Sequence, residues 1–319
     1  METPSKTPLF DLNSEQGLLR MSIAVTLFIA SIGIAFGLAS GSFSIIFDGV
    51  YSLVDASMSG LSLVVVRLIT AHARATQLSR KLRERFTMGF WHLEPMVLAL
   101  NGILLTGVAI YALINAVSSL LEGGRELEFG VALVYALVTV AACVAIAVVE
   151  ARANRGIGSD FVRMDVKGWV MSASITAALL VAFCFGYAVQ GTKWQWLSPY
   201  IDPAVLALVC LVIIPLPMSV VRQALADMFL VTPSDLKQHV DEVAQTFVSR
   251  HGLQSYRAYV AKVGRSREIE LYFIVPATLA ARTIAEWDAL RDEIGAAIGG
   301  EGPDRWLTVV FTGDPEWAE

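Results

Sequence analysis

Three residues with oxygen-bearing side chains share one face of the apolar segment 43–70. Asp48, Tyr51 and Asp55 follow one another at i, i+3 and i+7, a spacing that places them on the same side of an α-helix. Carboxylates inside an apolar segment are costly, and by default they mark a binding site or an ion path. We therefore predict a cation site with Asp55 as its main ligand. For Asp48, a hydrogen-bonded role in helix packing is an equal alternative.

A second apolar segment opens with a pattern of the same form. When it is superimposed on the first, Asp165, Gly168 and Ser172 take the positions of the three residues above. Corresponding positions on two helices of one bundle indicate a site that is shared between them. The two segments should run antiparallel, so Asp48 and Asp165 would line opposite ends of one ion path.

The segments that position these residues are long enough to cross a membrane. The chain has 319 residues, of which 55% are hydrophobic and 17% charged, whereas a soluble domain has about 45–50% and about 25%. A helix needs about 20 apolar residues to span a bilayer. Asp55 lies about 18 Å along its segment at about 1.5 Å per residue, close to mid-membrane. We predict a membrane all-α bundle of six transmembrane helices, over 21–41, 43–70, 91–121, 130–151, 163–189 and 201–229.

Charged residues predict the orientation. The loop 71–90 carries five Arg or Lys residues and one acid, and loops rich in Arg and Lys stay in the cytoplasm. The N- and C-termini are then cytosolic, in a multi-pass protein of the cell or inner membrane. Lys167, near the cytosolic end of its segment, is expected to extend to the interface. The alternative is that it pairs with Asp165 or another carboxylate.

The C-terminal residues have the pattern of a small α+β domain. A helix up to Arg250 is followed by strands over 255–263 and 268–275, a helix over 283–298 and a strand over 306–312. We therefore divide the chain into a cytosolic segment 1–20, a transmembrane domain 21–230 and a cytosolic domain 231–319. The last part holds 14 acids and 9 basic residues, which argues against a nucleic-acid partner. No nucleophile–base pair, HExxH motif or P-loop is present, so we predict no enzymatic activity.

Short motifs occur along the chain in a fixed order: Gly41-Ser42, Phe47-Asp48-Gly49, Ser52-Leu53-Val54-Asp55, Arg85-Phe86, Gly89, Glu94-Pro95, Ser159, Arg163, Asp165, Tyr200-Ile201-Asp202-Pro203, Pro233 and Gly313-Asp314-Pro315. With the six apolar segments and the α+β tail, these motifs resemble the cation diffusion facilitators, proton-coupled exporters of zinc, manganese, iron and related ions. The resemblance implies a six-helix bundle, a cytosolic metallochaperone-like α+β domain and a homodimer. It also implies a site made by two ligands on helix 2 and two on helix 5, at i and i+4.

The chain departs from the family pattern on helix 5. Gly168 and Ser172 stand where the family has His and Asp, so the expected metal ligands are Asp55, Tyr51, Asp48, Asp165 and Ser172. Oxygen ligands favour harder ions than zinc. The expected function is proton-coupled efflux of a divalent cation, which is substrate and not a prosthetic group. The alternative is a transport-inactive member that acts as a partner or regulatory subunit, because the usual helix-5 ligands are replaced.

Overall fold

The computed structural model describes residues 15–73, 84, 86, 89–157 and 160–319. Most of the basic loop 71–90, including Arg74 and Arg85, therefore lies outside the described residues. The chain divides into two compact units, the first containing Met1–Leu61 with Asn101–Ser219 and the second Ser62–Leu100 with Val220–Glu319. The domain boundary at 230–231 stays a prediction.

Long apolar helices dominate the chain before residue 230. Six stretches among the described residues are long and apolar enough to cross a membrane, as predicted, and the chain is an integral multi-pass membrane protein. The helices are α1 (Glu15–Ser40), α2 (Phe43–Ala73), α3 (Leu93–Leu121), α4 (Phe129–Ile157), α5 (Asp160–Val189), α6 (Ser198–Ile213) and α7 (Met218–Met228).

The predicted sixth segment, 201–229, is not one continuous helix. It begins earlier, with a 3₁₀ turn at Gln195–Leu197, and it is divided between α6 and α7. The break contains Pro215 and Pro217. Proline lacks the amide hydrogen that an α-helix uses and its ring clashes with the preceding turn. Two prolines so close together therefore end α6 although the composition remains apolar.

A buried carboxylate fixes the beginning of α2. Asp202, on α6, accepts hydrogen bonds from the Ser42 hydroxyl at 2.6 Å and from the Phe43 amide at 3.0 Å, while the Ser44 hydroxyl donates to the Asp202 carbonyl at 3.0 Å. The first amides of a helix have no partner within the helix. Asp202 supplies one, and it thereby ties α6 to the helix that carries Asp48 and Asp55.

Replacement of Asp202 by alanine is expected to destabilise the protein by about 2–4 kcal/mol, because it leaves a buried hydroxyl and a helix-end amide without their acceptor. The measurement is thermal unfolding of the purified protein in detergent. Asp292→Ala, at an exposed position of the C-terminal domain, is the control and should change stability by no more than about 0.5 kcal/mol. Equal stability of the two variants would contradict the assigned role.

Helices α4 and α5 pack tightly against each other at Gly186. A Cβ atom at this position would overlap the ring of Phe129, which is buried with Tyr135, Leu179 and Phe183 in one apolar cluster. A side chain larger than hydrogen therefore has no room here.

Gly186→Ala is expected to lower stability by about 1–3 kcal/mol, the usual cost of overpacking a filled core. Gly107→Ala is the matched control, since nothing lies within 4 Å of its added Cβ. Alanine is the better helix former, so the control should melt no lower than the wild type. If Gly186→Ala unfolds at the same temperature as its control, α4 and α5 can move apart at this position without loss of stability.

The C-terminal residues form the predicted α-β-β-α-β order. The elements are α8 (Ser234–His251), β1 (Ser255–Val263), β2 (Ser266–Ile274), α9 (Ile284–Ile298) and β3 (Arg305–Thr312). The sheet order is β1-β2-β3, with β1 and β2 antiparallel and β2 and β3 parallel. Both helices contribute to one core with the sheet, through Phe247, Phe273 and Ile294 among others.

Local chemistry sets the ends of these elements. Gly252 ends α8 in the left-handed conformation, and Thr283 with Glu286 forms a capping box at the start of α9. Strand β2 begins two residues before the predicted position. The reason is that Val263 already pairs with Ser266, so the connection is a two-residue hairpin turn in which Gly264 has a positive φ.

Candidate metal site

A cavity of about 150 Å³ lies between α1, α2, α4 and α5. This volume is large enough for several water molecules. The five residues predicted as ligands all lie on its walls, so the structure brings the predicted set together around one space. The lining residues are Thr26, Ile29, Asp48, Tyr51, Ser52, Asp55, Thr139, Cys143, Asp165, Gly168, Trp169, Met171, Ser172 and Thr176.

On the α2 wall, the two carboxylates have different surroundings. Asp48 is half-buried and accepts a 3.0 Å hydrogen bond from the Tyr135 hydroxyl of α4. One of its carboxylate oxygens therefore links α2 to α4. Asp55 lies seven residues further, about 10 Å along the helix, and its side chain is exposed. It interacts with the side chain of Asn101 on α3. Asp55 is therefore the α2 carboxylate with more freedom to bind a solute.

The α5 wall supplies one carboxylate and an open space. Asp165 is half-buried and close enough to Asp55 for the two charges to repel each other. Gly168 is exposed, and a Cβ atom built on it would meet nothing within 4 Å. Ser172 is half-buried. The cavity therefore has room beside Gly168 that no side chain occupies.

The ligands are too dispersed for a closed metal cage. Among the described residues, no three His, Cys, Asp or Glu side chains are grouped so that they could hold one ion together. A cation in this cavity would be bound by carboxylate and hydroxyl oxygens and by water, which is the coordination typical of Mg²⁺ and Mn²⁺. Lys167 is exposed, and no described ion pair connects it to Asp165 or Asp55.

Several polar residues of this region were not found from the sequence. Asn101, Tyr135 and Thr139 are polar residues scattered within apolar helices. Only the packing shows that Asn101 and Tyr135 contact the α2 carboxylates and that Thr139 lines the same cavity. Glu150 had a stronger signal, since it is an acid in the fourth apolar segment. An acid inside an apolar segment marks a functional residue by default, and this reasoning identifies Glu150 as it identified Asp55.

Comparisons with known proteins identify the family of the chain. A search of curated proteins found no match. A scan of protein families matched residues 19–229 to the cation efflux transmembrane domain. The matched region contains the cavity and reaches into both the first and the last apolar helix. Since it covers more than half of the chain, the protein belongs to the cation efflux family, whose members transport metal cations.

Proposed function

We propose that this protein exports a divalent metal cation from the cytosol in exchange for protons, through the cavity between α2 and α5. The observation that carries the proposal is the pair of carboxylates on opposite walls of one cavity, the exposed Asp55 and the half-buried Asp165. Two carboxylates that border the same cavity favour a cation between them. Tyr51 and Ser172 contribute oxygens to the same walls.

The available donors favour a hard ion. Zinc prefers a tetrahedral set that includes nitrogen or sulfur, and the α5 wall offers neither at Gly168 nor at Ser172. Carboxylate, phenol and hydroxyl oxygens, completed by water, suit Mn²⁺ or Mg²⁺ better. We therefore place Mn²⁺ and Mg²⁺ ahead of Zn²⁺ as transported ions.

Proton exchange follows from the same carboxylates. A ligand must lose its proton before it binds metal, so protons and metal ions compete for it. A transporter that exposes Asp55 alternately to the two sides of the membrane would release the ion where protons take its place. Rocking of one part of the bundle against another provides such exposure in secondary transporters.

The direction of transport depends on the orientation that the basic loop 71–90 predicts. Loops rich in Arg and Lys remain in the cytoplasm, and an even number of spans returns the C-terminus to the same side. The C-terminal α+β domain would then be cytosolic, and we propose that it joins two copies of the chain in a homodimer.

A transport-inactive family member is the second candidate. The observation in its favour is the absence of any side chain at Gly168, together with the lack of a group of three metal-binding residues among the described ones. In this case the protein would act as a partner or regulatory subunit of another assembly.

Ion flux into proteoliposomes separates the two candidates. Purified protein is reconstituted with a fluorescent metal indicator and a pH gradient, and Mn²⁺, Mg²⁺, Fe²⁺, Co²⁺, Ni²⁺, Cd²⁺ and Zn²⁺ are supplied in turn. We expect flux of Mn²⁺ or Mg²⁺ that stops when an ionophore collapses the gradient. Folded protein in both orientations that moves none of these ions would contradict the transport function.

A further inference from the structure

Glu150 is a fully buried acid that the site described above does not include. It lies near the C-terminal end of α4 and its side chain has a relative exposure of 0%. Neither of its carboxylate oxygens has a hydrogen-bond partner within the described part of the chain. A buried polar group without a partner carries a large desolvation cost, and for a charge this cost is larger still.

The neighbour of Glu150 is the half-buried carboxylate of α5. Asp165 is close enough to Glu150 for direct interaction between the two side chains, and its Oδ2 atom is likewise buried without a partner. Asp165 also lies near Asp55 and on the wall of the cavity. It therefore lies between Glu150 and the cavity.

A buried hydroxyl lies beside the two acids. The indole Nε1 of Trp169 donates a 2.9 Å hydrogen bond to the hydroxyl of Ser22, which is buried on α1 beside Glu150. The ion pairs recorded between described residues contain neither acid. Two adjacent carboxylates and a hydroxyl together offer hard oxygen donors to a cation.

We propose that Glu150 and Asp165 form a second divalent-cation site, between α4 and α5 and separate from the ligand Asp55. An ion in the cavity reaches it through Asp165, which serves both positions. Carboxylate oxygens, the Ser22 hydroxyl and retained water make a ligand set for Mn²⁺ or Mg²⁺. Cation binding at this second site does not require transport. That a transported ion occupies it on the way through the protein rests on the proposed function.

The test is equilibrium Mn²⁺ binding to purified full-length protein, followed by the EPR signal of free Mn²⁺. The Asp55→Asn variant removes the first ligand and is expected to retain Mn²⁺ binding at the second site. The substitution Glu150→Gln is then added, which keeps the shape of the side chain and removes its charge. It should weaken the remaining Mn²⁺ binding by roughly tenfold or more, since even changes outside a metal's direct ligands reduce affinity by about 10–100-fold. Glu150→Asp in the same background should retain part of the binding.

The matched control is Glu126→Gln, the same substitution at an exposed acid, which should leave Mn²⁺ binding unchanged. Size-exclusion profiles verify that every variant is folded. The proposal is overturned if Asp55→Asn alone abolishes binding, or if Glu150→Gln binds Mn²⁺ as its parent does, which would mean that the acids share a proton instead. Flux by the wild type is measured in parallel, so that loss of the second site and loss of the transport function are seen separately.

Discussion

Replacement of Asp55 by asparagine is expected to reduce divalent-cation flux by at least about 100-fold. The exposed Asp55 faces Asp165 across the cavity, and asparagine keeps its size while removing its charge. The cation then meets a neutral amide where it needs a charged oxygen ligand. A 100-fold loss corresponds to about 2.7 kcal/mol, since each ~1.4 kcal/mol is a factor of ten. The measurement is the initial rate of indicator response in proteoliposomes, at equal amounts of reconstituted protein.

The control for this prediction is Asp292→Asn, the same change at an exposed residue of the C-terminal domain, which should transport at the wild-type rate. Asp48→Asn is informative as well. Because Tyr135 already engages the Asp48 carboxylate, we expect a smaller loss there than at Asp55. Normal flux by Asp55→Asn would exclude Asp55 as the main ligand.

The double substitution Gly168→His and Ser172→Asp should create a tight zinc site. An added Cβ at Gly168 meets nothing within 4 Å, so an imidazole has room in the cavity. With Asp55 and Tyr51 it would complete a set of four N and O ligands, which zinc binds tetrahedrally. We expect the affinity for Zn²⁺ to rise by about 100-fold or more, equivalent to about 2.7 kcal/mol. Competition with a fluorescent zinc chelator measures it.

Gly156→His provides the comparison for the zinc prediction. This glycine is also free of neighbours within 4 Å, but it lies at the end of α4 and does not line the cavity. A histidine there should add only weak zinc binding. If the double variant is folded and binds zinc no better than Gly156→His, then positions 168 and 172 do not face Asp55 in the protein.

Much of the architecture could be predicted because its signals are local. The length of the apolar segments identified the six membrane-crossing stretches. In the C-terminal domain, Gly252 marked the end of α8, and the alternation of residue types predicted β1. The break between α6 and α7 was not predicted, because there a local rule competes with composition. Apolar residues continue through 214–217, and the two prolines there, not a change in hydropathy, divide α6 from α7.

Helical spacing predicted only those parts of the site that lie on one helix. The face shared by Asp48, Tyr51 and Asp55 follows from the 3.6-residue period, and the structure places these residues on one cavity. Residues of other helices also contact that face. They are set by tertiary packing, and the spacing within one helix carries no information about it. Tyr135 on α4 and Asn101 on α3 are therefore visible only in the folded chain.

The bond between Ser42 and Asp202 has a consequence for how the protein is made. The partners are separated by 160 positions, so the start of α2 lacks its acceptor until the sixth apolar stretch has been synthesised and inserted. A nascent or truncated chain with five helices therefore leaves the helix that carries Asp55 incompletely anchored. Such a chain should be a substrate for membrane quality control, and the completed bundle should escape degradation.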